Sequence, residues 1–271
     1  MQSAMSTAPV VVFDSGVGGL SVLKALCRTL PGESFYYIAD SLYVPYGDRP
    51  ATTVVERSRQ VAAYGRSLGA KALVIPCNTA TAAASAELRL LYPDWIVIGI
   101  EPAVKPAAAI TKTGVVGVLA TTGTLNSDKF RRLVERVAQG VRVVVQPCPG
   151  VVEHIEAGDL DSVTLRELLR AYVAALLAQG ADVLVLGCTH YPFVGALIAA
   201  LAGPAVRILE TGEAVGRETR RRLAAVDALR SAGGTAERLF MTTGDPETFR
   251  RQLGRLWGNV AELDVRRVEL L

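Results

Sequence analysis

Short apolar runs bounded by turn residues recur along the chain and predict strands that are buried on both faces. The runs are residues 10–13, 35–39, 72–75, 96–100, 115–119, 141–145, 183–186 and 206–209. Helical segments lie between several of them. Residues 165–177 are the clearest, because apolar side chains recur there at i, i+3, i+4 and i+7. This alternation indicates an α/β fold with mainly parallel sheets.

Two segments of the chain resemble one another. Residues 69–79 and residues 180–189 both run from Gly-Ala through a short apolar strand to a cysteine and then a threonine-bearing turn. The cysteines are Cys77 and Cys188, and each lies eight residues after the glycine that opens its segment. This match indicates an internal duplication.

A second pair of segments supports the duplication. Residues 11–16 and 118–123 each end a strand in carboxyl or hydroxyl side chains that are followed by glycine. We therefore predict two similar α/β domains related by a pseudo-two-fold axis. The first comprises residues 1–100 and 211–271, and the second comprises residues 101–210.

The repeated cysteines are candidate reactive groups. Ligands of open parallel sheets bind beyond the carboxyl ends of the strands, and both cysteines lie at such ends. We expect Cys77 and Cys188 to face a shared cleft between the domains. A helix that begins after each cysteine would lower the thiol pKa from about 8.5 toward neutrality. A single buried cysteine is usually packing, but two at matching positions point to chemistry.

Composition describes a folded protein, with 50% hydrophobic and 20% charged residues among 271. No apolar run approaches the roughly 18 residues that cross a bilayer, and residues 1–8 lack the basic and apolar regions of a leader. We expect a cytoplasmic protein. The net charge is +3, and basic residues are scattered apart from a cluster that predicts an exposed helix surface rather than a nucleic-acid site. The cluster contains Arg217, Arg220, Arg221 and Arg222.

The remaining cysteines and histidines do not form a metal-binding pattern. The four cysteines stand far apart, and the chain has only two histidines, His154 and His190. A structural zinc site needs about four closely paired ligands, so no metal is expected. Cys27 falls inside the helix after the first glycine-rich turn, and Cys148 stands between two prolines. Both are interpreted as structural.

The glycine-rich turn of residues 14–19 joins a strand to a helix that begins near Leu20. Its spacing fits neither the phosphate-binding loop nor the dinucleotide-binding pattern, so no nucleotide cofactor is expected. Asp14 and Ser15 are suited to the ammonium and carboxylate of a small acid, although an N-cap with a tight turn is the structural alternative. Residues 45–47, Pro-Tyr-Gly, form a loop whose backbone amides could hold an anion.

With these residues in view, the sequence resembles the cofactor-independent glutamate racemases of bacterial cell-wall synthesis, within the aspartate/glutamate racemase family. The resemblance rests on residues 12–20, 45–47, 77–80, 121–124 and 187–192. These segments follow the family's order. The glycine turn and the Thr-His-Tyr-Pro continuation after the second cysteine distinguish them from related aspartate racemases.

The resemblance implies roles for particular residues. Cys77 and Cys188 match two catalytic bases, one on each face of the substrate. The residues that match groups assisting these thiols are Asp14, His190 and Glu156. Glu153 competes with Glu156, because residues 150–154 depart from the apolar run common in relatives. The implied substrate contacts are Asp14, Ser15, Pro45, Tyr46, Gly47, Asn78, Thr79, Thr121, Thr189 and His190.

The implied activity is interconversion of L- and D-glutamate by a two-base proton transfer at the α carbon. One thiol removes the proton from one face while the other delivers a proton to the opposite face, so a single base would be poorly placed for both. No cofactor or metal is implied, and nothing marks a Schiff-base lysine. The resemblance further implies supply of D-glutamate for peptidoglycan by a cytoplasmic homodimer.

Three alternatives remain open from the residues. A racemase or decarboxylase of another small acid could use the same fold. Cys188 with His190 could instead be the covalent nucleophile of a hydrolase. The third alternative is a non-catalytic module that binds an anion or a partner.

Overall fold

The computed structural model describes residues 4–137, 140–231, 236–258 and 263–270 and contains two parallel β-sheets covered by helices. The strands are β1 (Val10–Asp14), β2 (Phe35–Ala39), β3 (Ala72–Ile75), β4 (Ile96–Gly99), β5 (Val115–Ala120), β6 (Arg142–Pro147), β7 (Val183–Leu186), β8 (Arg207–Leu209), β9 (Arg238–Thr242) and β10 (Asp264–Arg267). The first sheet has the order β10-β9-β2-β1-β3-β4, and the second has the order β6-β5-β7-β8.

Twelve α-helices and two short 3₁₀ helices, Tyr46–Asp48 and Tyr191–Val194, lie in the described residues. The α-helices are α1 (Ala4–Thr7), α2 (Leu20–Thr29), α3 (Ala51–Ser67), α4 (Asn78–Leu91), α5 (Val104–Ile110), α6 (Thr122–Leu125), α7 (Asp128–Val137), α8 (Val151–Glu156), α9 (Val163–Leu177), α10 (Gly195–Ala202), α11 (Gly212–Ala224) and α12 (Pro246–Leu256). Across those same residues, none of the helices combines the length and the apolar character needed to cross a membrane.

The strand order repeats between the sheets, as the sequence duplication predicts. In the first sheet β1 pairs with β2 on one side and β3 on the other, and β4 follows β3. In the second sheet β5 pairs with β6 and β7, and β8 follows β7. β3 and β7 therefore occupy equivalent places. The predicted α/β fold with two similar parallel units is confirmed.

The strand predictions are correct in position but not always in burial. The central strands β1, β3 and β7 are fully buried. The runs at 141–145 and 206–209 become the edge strands β6 and β8, most of whose residues are not buried, so the prediction of burial on both faces is wrong there. Two strands, β9 and β10, are absent from the predictions. β10 is an edge strand with one apolar residue and carries no apolar run. β9 is mostly buried and contains the apolar run Leu239, Phe240 and Met241, although no strand was predicted there.

Helix α9 forms where the sequence pattern predicts it. The Ser162 side chain accepts a hydrogen bond from the Leu165 amide and caps the first turn. The buried stripe is Leu165, Leu169, Val173 and Leu176. It joins an apolar core that includes residues of both sheets, such as Val74 and Leu119. This shared core holds the two units against one another.

The strands of each sheet fall within one of the predicted domains. β1 to β4, β9 and β10 lie within residues 1–100 and 211–271, and β5 to β8 lie within residues 101–210. The domain boundaries themselves stay a prediction.

A buried ion pair ties together distant parts of the first unit. Lys71 Nζ lies 2.6 Å from Glu33 Oε2, and neither side chain is more than 1% exposed. The same ammonium donates to the carbonyls of Ser6 at 2.8 Å and Ala228 at 2.7 Å. Burial lowers the pKa of Lys71, and hydrogen bonding to Glu33 opposes this. One cation thus connects the start of β3 to α1, to the segment before β2 and to the segment after α11.

We expect Lys71→Met to lower the free energy of unfolding by about 3–5 kcal/mol, because it leaves the Glu33 carboxylate buried without its partner. Urea unfolding measures the loss. The matched control is Arg221→Met, which removes an exposed pair with Glu218 and should change stability little. Equal, small losses in both variants would show that the buried pair does not stabilise the fold.

Candidate functional site

The carboxyl ends of the two sheets face one another across a cavity that opens to solvent, and the space between its atoms, including that open part, is about 280 Å³. It lies where β1, β3, β5 and β7 end. The lining residues are Ser15, Pro45, Tyr46, Gly47, Cys77, Asn78, Thr79, Thr121, Thr124, Val152, Gly187, Cys188, Thr189 and His190. The structure thus brings together both cysteines and nine of the ten predicted substrate contacts. Asp14 and Glu156 do not line the cavity.

Cys77 lies between β3 and α4, and its side chain caps the helix. The sulfur accepts a hydrogen bond from the Ala80 amide at 3.4 Å and lies 3.8 Å from Ser15 Oγ. Burial, and after it the charge of Asp14, raises the pKa of Cys77 well above its usual value, against the opposing Ala80 bond. The expectation that the helix N-terminus brings this pKa toward neutrality is therefore wrong. At this buried position, desolvation outweighs one amide donor.

Asp14 lies behind Ser15 and is fully buried. Its carboxylate accepts hydrogen bonds from the Gly16 amide at 3.2 Å, from Ser15 Oγ at 3.4 Å and from Thr189 Oγ1 at 3.1 Å. Burial raises the pKa of Asp14, and the positive charge of His190 opposes the rise. Asp14 therefore acts on the cavity through Ser15 and Thr189, and does not reach it directly.

Cys188 begins a chain of polar contacts on the second unit. Its sulfur lies 3.6 Å from His190 Nδ1, and His190 Nε2 lies 2.7 Å from Glu156 Oε1. Burial lowers the pKa of His190, but hydrogen bonds to Cys188 and Glu156 outweigh it and hold the value well above 6.5. The raised pKa favours the imidazolium form, in which His190 donates to both neighbours.

The backbone after Cys188 differs from the expectation. We predicted a helix N-terminus directly after each cysteine, and α4 fulfils this for Cys77. After Cys188 the chain forms the 3₁₀ helix Tyr191–Val194, and α10 starts only at Gly195. Because a 3₁₀ turn of this length carries little dipole, the positive charge beside Cys188 comes from a side chain.

The turn at residues 14–19 needs glycine because side chains of the second unit pack directly against its backbone. A Cβ at Gly16 would lie 1.9 Å from Glu156 Oε1, and a Cβ at Gly18 would lie 2.4 Å from His190 Nδ1. Between them the Val17 amide donates to Glu156 Oε1 at 2.8 Å. The turn therefore receives a protein carboxylate from the other unit.

A buried pair of charged side chains, Asp40 and Arg57, fixes Tyr46 of the Pro-Tyr-Gly loop. Tyr46 OH donates to Asp40 Oδ2 at 2.6 Å, and Arg57 donates to both oxygens of that carboxylate at 2.9 and 2.7 Å. Thr243 Oγ1 donates to Asp40 Oδ1 at 2.9 Å. Burial, and after it the charge of Asp40, raises the pKa of Tyr46. The tyrosine is thus a neutral, fixed wall of the cavity.

Hydroxyl groups from both units meet on the wall near α4 and α6. Thr79 Oγ1 lies 3.1 Å from Thr121 Oγ1 and 3.2 Å from Thr124 Oγ1. Beside them the buried Asn78 Oδ1 has no hydrogen-bond partner among the described residues. A buried acceptor without a partner is costly, so this atom is free for a donor on a bound ligand.

The geometry separates the two candidate acids. Glu156 contacts His190, while Glu153 lines a separate, neighbouring pocket with Cys148 and Pro149. His154 Nδ1 lies 2.7 Å from Asp159 Oδ2, and His154 does not line the cavity. No cluster of three or more His, Cys, Asp or Glu with metal-site geometry occurs in the described part of the chain.

Several residues at the site escaped sequence reasoning. Thr124, Val152 and Gly187 line the cavity. Gln252, on α12, donates to Glu156 Oε2 at 3.2 Å and to the Glu156 carbonyl at 2.6 Å. Thr124 lies in a segment that was already recognised, whereas nothing local to Gln252 marks it, because its partner is almost a hundred positions away.

A family model described as Asp/Glu/Hydantoin racemase matches residues 15–219. The chain belongs to this family. The resemblance found in the sequence is thereby confirmed.

Individual members of the racemase family align along nearly the whole chain. This chain is 54% identical over 251 residues to a glutamate racemase of Pseudomonas entomophila, and the alignment covers 93% of this chain and 94% of the relative. Its fold is similar to that of the glutamate racemase RacE1 of Bacillus anthracis, with a TM-score of 0.89, 31% identity and 98% of each chain covered. A Francisella tularensis glutamate racemase in complex with D-glutamate gives a TM-score of 0.85 at 26% identity. The match covers 97% of this chain and 98% of that protein.

We expect Gly18→Ala to lower the racemisation rate by about a hundredfold, because the added methyl group displaces His190 and Thr189, which lie 2.4 and 2.5 Å from its position. Circular dichroism of a glutamate enantiomer measures the rate. The control is Gly195→Ala, where the nearest atom is 3.8 Å away and activity should be kept. An active Gly18→Ala variant would show that this close packing is dispensable.

We expect the His190 ring to carry both protons in the ligand-free protein at about pH 7.5, since its pKa is raised above 6.5. Nitrogen-15 NMR of histidine-labelled protein measures this, and His154→Gln assigns the two signals. Glu156→Gln removes one of the groups that raise the pKa, so the signal should titrate at lower pH. The other groups facing the ring are Cys188 and Asp14, which stay in place. A neutral ring at pH 7.5 would contradict the assignment.

Proposed function

We propose that this protein interconverts L- and D-glutamate by exchanging a proton at the α carbon between Cys77 and Cys188. One observation carries the proposal: the two thiols end topologically equivalent strands, β3 and β7, and line the same cavity. Inversion needs one group on each side of the carbon. Two copies of one structural unit, facing each other, supply such a pair.

The charge distribution gives the thiols different resting roles. The raised pKa of Cys77 keeps it as a thiol that can donate a proton. On the opposite side His190 Nδ1 lies 3.6 Å from the Cys188 sulfur, and Glu156 accepts from the other ring nitrogen. The roles of the two thiols are therefore supported by different neighbours. The roles exchange when the other enantiomer binds.

The cavity walls supply the groups that an amino-acid substrate needs. Asn78 Oδ1, which lacks a partner, accepts from the α-ammonium. The hydroxyl cluster of Thr79, Thr121 and Thr124 and the loop amides near Gly47 donate to carboxylate oxygens. Charge that develops on the α-carboxylate during proton removal is stabilised by these fixed donors. The reaction then proceeds without a cofactor.

Asp14 and Glu156 act through other residues. Asp14 reaches Cys77 only through Ser15 Oγ, and it holds Thr189 through a 3.1 Å hydrogen bond. Glu156 orients His190. Both are positioning groups, and the substrate contacts are the residues that line the cavity.

We propose glutamate as the substrate because the similar relatives are glutamate racemases. Two of them are 54% identical to this chain over 93% and 95% of its length. The proposal places the protein in the cytoplasm, as a homodimer that supplies D-glutamate for peptidoglycan. Light scattering of the purified protein tests the dimer. A substrate screen with aspartate, hydantoins and arylmalonates tests the rival small acids.

The arrangement of side chains around Cys188 favours a second candidate function, that of a hydrolase. Cys188, His190 and Glu156 stand in the order of a nucleophile, a base and an orienting acid, as in hydrolases that form acyl-enzymes. A hydrolase of this kind uses one thiol as its nucleophile, so that reaction would give Cys77 no chemical role. Trapping an acyl adduct on Cys188 by mass spectrometry would favour the hydrolase, and its absence together with racemisation would exclude it.

We expect Cys77→Ser and Cys188→Ser each to lower the racemisation rate by about a thousandfold or more, because each removes one of the two acid–base groups. Circular dichroism of L- or D-glutamate without added cofactor measures the rate. In deuterium oxide, the unaltered protein should place deuterium at Cα of either enantiomer.

The control for this pair is Cys27→Ser, which changes a half-buried cysteine on α2 and should keep full activity. Near-normal racemisation by either Cys77→Ser or Cys188→Ser would overturn the two-base mechanism.

A further inference from the structure

Helix α12 reaches from the first unit to the acid that orients His190. The helix packs on the first sheet through Phe249, Leu253 and Leu256, and the Phe249 ring stacks on Tyr37 with centroids 6.3 Å apart. From the flank of this buried face Gln252 extends to α8 of the second unit. Its Nε2 donates to the Glu156 carbonyl at 2.6 Å and to Glu156 Oε2 at 3.2 Å.

The Glu156 carboxylate is held from three directions. Oε1 accepts from His190 Nε2 at 2.7 Å and from the Val17 amide at 2.8 Å, and Oε2 accepts from Gln252. Two of these three donors, Val17 and Gln252, belong to the first unit. The carboxylate that faces the imidazolium is therefore fixed by the unit that does not carry His190.

We propose that Gln252 is a positioning residue that holds Glu156 against His190 and thereby serves the proton transfers of Cys188, but not those of Cys77. The inference rests on the proposed function for its catalytic consequence. Cys77 depends on other contacts, namely Ser15 Oγ and the Ala80 amide. Without the amide of Gln252, one carboxylate oxygen loses its donor, and the group can rotate away from the ring.

A neighbouring contact supplies the matched control. Arg255 Nη1, one turn along α12, donates to the Gly158 carbonyl at 3.0 Å. It joins α12 to the turn that follows α8, and it makes no hydrogen bond to Glu156. Arg255→Met removes a contact between α12 and the end of α8, whereas Gln252→Met removes the donor to the carboxylate with little change of side-chain volume.

The first experiment separates the two thiols. A β-leaving group lets a single base complete a reaction: the thiolate takes the Cα proton, the electron pair of that C–H bond forms the C=C bond, and the C–Cl pair leaves as chloride. Chloride release from the enantiomers of 3-chloroglutamate then reports Cys188 alone in a Cys77→Ala background, and Cys77 alone in a Cys188→Ala background.

We expect Gln252→Met to slow chloride release by about tenfold in the Cys77→Ala background and to leave it within about twofold in the Cys188→Ala background. Arg255→Met should leave both rates within about twofold. Gln252→Glu, which places a second carboxylate beside Glu156, should be slower than Gln252→Met, although all three side chains have nearly the same size. Equal losses in both backgrounds, or none in either, would overturn the positioning role.

The second experiment does not depend on activity. A hydrogen bond to Glu156 protects the His190 Nε2 proton from exchange with water, so Gln252→Met should speed that exchange by about tenfold in NMR of the otherwise unaltered chain. Arg255→Met should not. Unchanged exchange in Gln252→Met would refute the inference even if the protein racemises glutamate. Faster exchange, with no chloride release by either single-cysteine protein, would instead count against the two-base function.

Discussion

The contact between Glu156 and the glycine-rich turn is the constraint on which the site depends. Glu156 Oε1 accepts from the Val17 amide at 2.8 Å, and this approach is possible only because Gly16 has no side chain in its path. The same oxygen faces His190. One carboxylate thus both joins the two units and helps to raise the pKa of His190, the residue beside Cys188. If the units separate, Glu156 loses the hydrogen-bond donors that the first unit supplies, the Val17 amide and Gln252 Nε2.

The two thiols occupy equivalent places in a duplicated fold, yet their surroundings differ. Cys77 caps a regular α-helix and faces Ser15, with the buried Asp14 behind it, and its pKa is raised. Cys188 is followed by a 3₁₀ turn and has the charged His190 at 3.6 Å. The chain duplication therefore supplies the symmetric placement that inversion at a carbon needs, and the local sequence after each cysteine breaks the electrostatic symmetry.

Much of this arrangement was predictable from the sequence because it is local. The apolar runs of the central strands, the spacing that makes α9 amphipathic and the two Gly-Ala…Cys segments are all patterns within about a dozen residues. The cysteines, the threonines and the Pro-Tyr-Gly loop follow strands directly, so strand topology alone places them at one edge. The edge strand β10 escaped because an exposed edge needs no apolar run, and its single valine carries no signal.

The sequence by itself determined the α/β duplication, the two thiols at strand ends and the polar residues around them, since each depends on neighbours in the chain. The tertiary structure alone decided which acid serves His190, since both Glu153 and Glu156 lie on α8 and differ only in the direction they face. It also decided that Gln252 belongs to the site and that Cys77 has a raised pKa. Hydrogen-bond partners far apart in sequence and the depth of burial arise only when the two units close, because desolvation and contact between the units are properties of packing and not of any one segment.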